Sequence, residues 1–229
     1  MIGATWIFIR VLATTWTQQT KLIATGYIGQ SLQGQSVSLA SEGNTLAVGA
    51  PGDNGNIGTT WIFIRNLGLW TQQQQLIGAG NIGPSMQGTS VSLGASGFVV
   101  AIGGPTNNSN TGGVWIFLRD NTGFWTQDGT ALVVSDSVGA PMIGISVSIS
   151  KVSNTIAIGG PGDNGNVGAT WIFTRDLGIW SQRGNKLVGS GSIGQPLQGT
   201  SVSLAAVGNT LAIGGPNSGI QLGAIWIFV

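Results

Sequence analysis

Apolar and polar positions along this chain alternate over short runs and never over long ones. In "SVSLA" (Ser36–Ala40) small polar residues alternate with apolar ones at a period of two, the pattern of a strand with one covered face. In "TWIFIR" (Thr5–Arg10) both parities are apolar. Trp6 and Phe8 fall on one side and Ile7 and Ile9 on the other, so this strand needs cover on both faces. "NTLAVGAP" (Asn44–Pro51) is apolar and ends in Gly/Pro punctuation, while "WTQQTKLI" (Trp16–Ile23) alternates more loosely, as suits an edge. No segment sustains a 3.6-residue apolar period, and 40 Gly residues among many Thr, Ser and Val oppose helix.

The four segments recur in a fixed order. The first Trp of each "WIF" copy is Trp6, Trp61, Trp115, Trp171 or Trp226, at spacings of 55, 54, 56 and 55. A second Trp series (Trp16, Trp70, Trp125, Trp180) and the series "GQSVSLA", "GTSVSLG", "GISVSIS", "GTSVSLA" keep the same phase. This is a repeat protein, and four short strands per unit fit a propeller blade better than the shorter rung of a β-helix. The predicted fold is all-β: a β-propeller of four-stranded antiparallel blades, built from about four repeats of ~55 residues. It forms a single domain over residues 1–229, with units near 6–60, 61–114, 115–170 and 171–225 and a fifth partial strand at 226–229.

With the segments lettered A ("SVSLA"), B ("NTLAVGAP"), C ("TWIFIR") and D ("WTQQTKLI"), the chain reads CD, ABCD, ABCD, ABCD, ABC. Joining the N-terminal D to the C-terminal ABC would close a ring of four blades and leave one C strand surplus. An unpaired apolar edge is an association site, so the surplus favours oligomers or filaments. A cut through a longer array gives the same count.

The run "SVSLASEGNTLAVGAPGDNGNIGTTWIFIR" resembles the FG-GAP repeat of integrin-α-type β-propellers, including bacterial and giant-virus relatives, and the resemblance extends over essentially the whole chain. It implies adhesion or ligand binding instead of catalysis, with a glycan or protein ligand, at an extracellular site or on a virion or cell surface. Its members commonly close with seven blades, and this chain carries about four.

Composition narrows the chemistry. Only 7% of residues are charged and the net charge is +1, without a basic run, which opposes a nucleic-acid or anionic-membrane partner. A weakly charged surface also repels its copies little, so a homo-oligomer is easier to form. The chain has no Cys and no His, which removes disulfides, thiolate nucleophiles and imidazole acid–base chemistry. No signal peptide is visible after Met1, and no apolar run approaches the ~20 residues of a membrane helix, so no membrane insertion is expected. Seven scattered carboxylates form no pair in repeat phase, and the expectation is that the chain is not an enzyme.

Two kinds of site remain. The resemblance implies calcium where a turn loop carries several carboxylates. "PGDNGNIG" offers Asp53, Asn54 and Asn56, and "PGDNGNVG" offers Asp163, Asn164 and Asn166, with one carboxylate each. Such a set binds calcium weakly, and Asp and Asn at these positions equally serve turn geometry. No other cofactor is expected. Among the Trp residues, the C-strand series fills the space between blades, whereas Trp16, Trp70, Trp125 and Trp180 open the outer strand nearer solvent and are the glycan candidates. Arg10, Arg65, Arg119 and Arg175 end equivalent strands and are expected to pair locally, with Asp120 and Asp176 next to two of them.

Overall fold

The computed structural model describes residues 1–219 and 222–229. Strands β1 (Thr5–Arg10) and β2 (Trp16–Leu22) form a two-stranded sheet. Three four-stranded antiparallel sheets follow. They are β3 (Ser36–Leu39), β4 (Thr45–Ala50), β5 (Thr59–Asn66) and β6 (Leu69–Leu76); β7 (Ser90–Leu93), β8 (Val99–Gly103), β9 (Val114–Arg119) and β10 (Trp125–Gln127); and β11 (Ser146–Ile149), β12 (Thr155–Gly160), β13 (Ala169–Asp176) and β14 (Ile179–Gln182). The fifth sheet has three strands, β15 (Ser201–Leu204), β16 (Leu211–Gly215) and β17 (Ala224–Phe228). Each "SVS", "LAVG", "WIF" and "WTQ" segment is thus a strand, and the strand order in every complete sheet is the chain order.

Between the second and third strands of each complete sheet lies one short helical turn, such as Asp53–Asn56. Asn54 and Gly55 there have left-handed dihedrals, and Asn108/Ser109 and Asn164/Gly165 repeat them. Asn tolerates that region better than most residues, which explains its density in these loops. The fourth such loop, "PNSGIQLG", lies partly outside the described residues.

The expected closure, with the N-terminal D strand completing the C-terminal blade, is not what forms. Strand β2 pairs with β1, and among the described residues β17 has β16 on one edge and no strand on the other. The reason is local. The β1–β2 hairpin reproduces β5–β6 pair for pair: Arg10↔Trp16 matches Arg65↔Trp70, and the irregularity at Ile7/Phe8 matches that at Ile62/Phe63. Both terminal "WIF" copies therefore sit in sheets of their own, and the array is CD, ABCD, ABCD, ABCD, ABC in space as in sequence.

Candidate functional site

The sheets stack face to face with a constant polarity. Trp and Phe of each C strand point back at the preceding sheet, and the Ile residues point forward. Trp61 and Phe63 pack with Leu22 and Ala24 of the preceding unit, while Ile62 and Ala47 pack against Val100, Ile102, Trp115 and Phe117 of the next. Beyond each D strand the chain passes under the next unit's indole. A Cβ on Gly78 would overlap Trp115, and one on Gly189 would overlap Trp226. Close approach of backbone to a ring requires Gly at those two places.

The A strands zip together through the serines of "SVS". Ser36 Oγ donates to the Gly88 carbonyl at 2.8 Å, and Ser38 Oγ accepts the Leu93 N–H at 2.9 Å. The next two junctions repeat this with Ser90→Gly144 and Ile149→Ser92, then Ser146→Gly199 and Leu204→Ser148. Serines of this strand thus serve the following unit, while its Val and Leu cover the preceding one.

That polarity leaves two unlike ends. At the N-terminal end, among the described residues, β1–β2 carries no A or B strand, so the backward faces of β1 and β3 are open. Trp6 is 52% exposed where Trp115 is wholly buried, and Val37 and Leu39 are 54% and 53% exposed where Val91 and Leu93 are 8% and 7%. A groove of about 510 Å³ runs along all six residues of β1 and is walled by Val37, Leu39, Leu46 and Trp70. It lies where strand B stands in the complete sheets. At the C-terminal end the forward face is open instead, with Ile225 and Ile227 at 74% and 62% exposure.

The glycan candidates are placed differently from the expectation. Trp125 is buried, Trp70 and Trp180 are half-buried, and Trp16 is exposed. The covered ones lean on the preceding unit. Trp70 Nε1 donates to Gln19 Oε1 at 3.0 Å, Trp125 to Gln73 Oε1 at 3.3 Å and Trp180 to Asp128 Oδ2 at 3.1 Å. The outer strand is therefore part of the stacking, and Trp16 is open because among the described residues no unit packs against β2 from that side.

The turn-loop carboxylates tie neighbouring units together. Asp53 Oδ1 accepts the N–H of Ile28 at 2.6 Å and of Asn54 at 3.0 Å, and its Oδ2 accepts Gln75 Nε2 at 3.3 Å. Asn107 Oδ1 does the same for Ile82, and Asp163 Oδ1 for Val138. Asp163 Oδ2 meets the Lys186 ammonium at 2.6 Å, so a cation already stands at the second loop. The side chains of Asn54, Asn56, Asn164 and Asn166 follow in left-handed backbone, and among the described residues no cluster of three acidic side chains could hold a metal ion.

The strand-end arginines do not pair with the residues that follow them. Arg175 meets Asp128 of the preceding unit at 3.0 Å, Asp176 meets Arg183, and Arg65 Nε donates to Asn44 Oδ1. Asp120 closes its own turn, and hydrogen bonds from the Thr122 hydroxyl and the Phe124 N–H hold its carboxyl below the usual range.

A buried amide was not anticipated. Gln87 is wholly buried; its Oε1 accepts the Gly78 N–H at 2.5 Å and its Nε2 donates to the Gly78 carbonyl at 2.9 Å. Gln33 holds Ala24 and Gln198 holds Gly189 in the same way. These glutamines fix the segment on which the next indole rests. Their signal in the sequence is a Gln nine residues after its partner, directly before the Gly that opens the A strand.

No family model and no curated protein matches the chain. Among solved structures, a TolB-type β-propeller of Agrobacterium tumefaciens superposes with a TM-score of 0.54 at 8% identity, covering 93% of this chain and 61% of that one. At this identity the likeness is one of fold alone, and the chain spans about three fifths of that neighbour's length. No helix among the described residues is long and apolar enough to cross a membrane. The chain has an all-β, propeller-like fold of stacked antiparallel sheets.

Proposed function

We propose that this chain is a non-catalytic interaction module of the propeller type, which takes up its protein ligand by strand addition beside β1. The observation that carries this reading is the groove along Thr5–Arg10, where an open strand edge faces an uncovered apolar wall of Val37 and Leu39. An exposed sheet edge supplies main-chain hydrogen bonds, and the pockets for alternate side chains supply selectivity. The FG-GAP resemblance supports an adhesive role at an extracellular or virion surface. Against catalysis stand the absence of His and Cys and the engagement of the carboxylates in turns and ties between units. A glycan ligand has weaker support, because of the four Trp candidates Trp16 alone is largely exposed.

The test is a fluorescently labelled peptide of the B-strand sequence "NTLAVGAP". Saturable binding that is lost in the variant Leu39→Arg supports the reading. Absence of binding, or binding indifferent to that substitution, refutes it. Leu39 is exposed, so the variant keeps its fold.

A second reading, a self-assembling structural protein joined through its terminal strands, is favoured by the open apolar faces at both ends and by the scarcity of charge.

A further inference from the structure

The two open ends are complementary in a specific way, and we infer that the occupant of the groove beside β1 is the β15–β16 hairpin of a second copy of this chain. The inference rests on the strand-addition reading above and names its partner.

Strand β16 already carries a C strand in the required register. It pairs Leu211↔Phe228, Ala212↔Ile227 and Ile213↔Trp226, as β4 pairs Leu46↔Phe63, Ala47↔Ile62 and Val48↔Trp61. Strand β1 has the same residues in the same order, so β16 fits it with Leu211 opposite Phe8, Ala212 opposite Ile7 and Ile213 opposite Trp6. The completed sheet is then AB from one copy and CD from the other.

The serine zipper continues across this junction. Ser201 and Ser203 have the positions of Ser36 and Ser38 but, among the described residues, no following unit to serve. Gly34 and Leu39 have the positions of Gly88 and Leu93 but, among the described residues, no preceding A strand. Seating β15 before β3 directs the Ser201 hydroxyl to the Gly34 carbonyl and the Leu39 N–H to Ser203 Oγ. It also covers Val37 and Leu39 as Val91 and Leu93 are covered inside the chain. Trp6 then lies over Gly189, and its indole reaches the Ser190 carbonyl that Trp226 now holds at 2.9 Å.

One C strand has to leave, and it is β17. Strand β1 is anchored on its own chain by the ladder to β2, by the bridge Gly3↔Gln33, and by donation from Gln33 N–H and Ser31 Oγ to the Ile2 carbonyl. Strand β17 is held by β16 alone among the described strands. The exchange replaces the "WIF" of β17 by the "WIF" of β1, so the chemistry of those three positions is conserved and the gain is the newly covered stacking face.

The chain has no cysteine, which permits a direct test. Ile7→Cys and Ala212→Cys variants of this chain are mixed, oxidised and resolved by mass. The expected result is a mixed disulfide dimer far in excess of either homodimer, reduced about a hundredfold by Leu39→Arg, the scale of an unpaired charge forced into a covered interface. Native mass measurement of the unmodified protein, expected to give multiples of the 23.3 kDa chain, keeps the test independent of the substitutions. A monomer with no mixed disulfide overturns the inference. So does an internal disulfide in a monomeric double variant, which would mean that the chain closes on itself. If the "NTLAVGAP" peptide still binds a monomer that forms no disulfide, the groove reading stands and its occupant is another protein; if it does not, both fail.

Discussion

The Trp171 indole N–H donates to Asp136 Oδ1 at 2.7 Å, so a carboxylate on the connection leaving one sheet holds the indole of the next. The same carboxylate accepts the Lys186 N–H at 2.7 Å and Gln182 Nε2 at 3.0 Å. Desolvation pushes its pKa up, but these three donors outweigh it and leave it below the ordinary value of 3.8. A depressed carboxylate stabilises the fold above its unfolded pKa, and that contribution disappears as pH falls through the folded value. The melting temperature should therefore drop below about pH 4, and Asp136→Asn should flatten that acid limb while leaving stability less dependent on pH. Thermal melts of both proteins between neutral and strongly acidic pH check this; equal acid slopes would remove Asp136 from the account.

Equivalent indoles should differ sharply in worth. Trp115 is wholly buried between two complete sheets, so Trp115→Ala is expected to cost about 3–5 kcal/mol, the range for large aromatic residues in a core. Trp6, half exposed, should cost less than about 1 kcal/mol in the monomer, because most of its surface is already in water. Urea titrations at a concentration that keeps the chain monomeric give both values, and similar losses would mean that Trp6 is covered in solution.

The buried amide of Gln87 satisfies both backbone groups of Gly78. Gln87→Ala strands a donor and an acceptor away from water, which is expected to cost about 2–4 kcal/mol. Hydrogen exchange at the Gly78 amide should accelerate with it. Unchanged exchange would show that the segment is held by the Trp115 ring instead.

Calcium is expected to act weakly. Asp53 Oδ1 is committed to two backbone N–H groups, and Asp163 is committed to Val138 and to Lys186. Adding millimolar calcium or a chelator should move the melting temperature by less than about 2 °C. A shift above about 10 °C would require several kcal/mol of linked binding and would restore the two loops as metal sites.

Much of this architecture was legible because its signals are local and repeated. The period of two in "SVSL" and the two-faced apolar run in "WIF" identify strands, and the common phase fixes their order. What sequence could not assign was direction. Trp61 and Ile62 are equally apolar, and only stacking reveals that one faces back and the other forward, hence which residues the two ends expose. The same gap misplaced Trp125, whose outer strand looks polar yet leans its indole on the neighbouring unit. Gln87 stayed hidden because a Gln before Gly reads as turn chemistry; its burial depends on a carbonyl and an N–H nine residues earlier. Asp53 was legible as a turn residue, though its bond to Ile28 crosses between units.

The hairpins joining β5 to β6 and β13 to β14 carry a correctable strain. Each is a two-residue loop, Leu67-Gly68 or Leu177-Gly178, closed by Asn66↔Leu69 or Asp176↔Ile179, with φ positive at both central residues. That is the signature of a type I′ turn, whose first position favours Asn. Leu67 sits at φ 47 and Leu177 at φ 49, and both side chains are almost fully exposed, so neither recovers packing for its left-handed backbone. A left-handed conformation costs an ordinary L-residue roughly 1–2 kcal/mol, and Asn less. Leu67→Asn and Leu177→Asn should each stabilise the chain by about 0.5–1 kcal/mol, and the double variant by nearly the sum, since the two turns lie on separate sheets. Denaturation midpoints of the three variants against the parent decide it. A loss of stability in either single variant would mean that its Leu is covered in solution, and would place a contact surface on that hairpin tip.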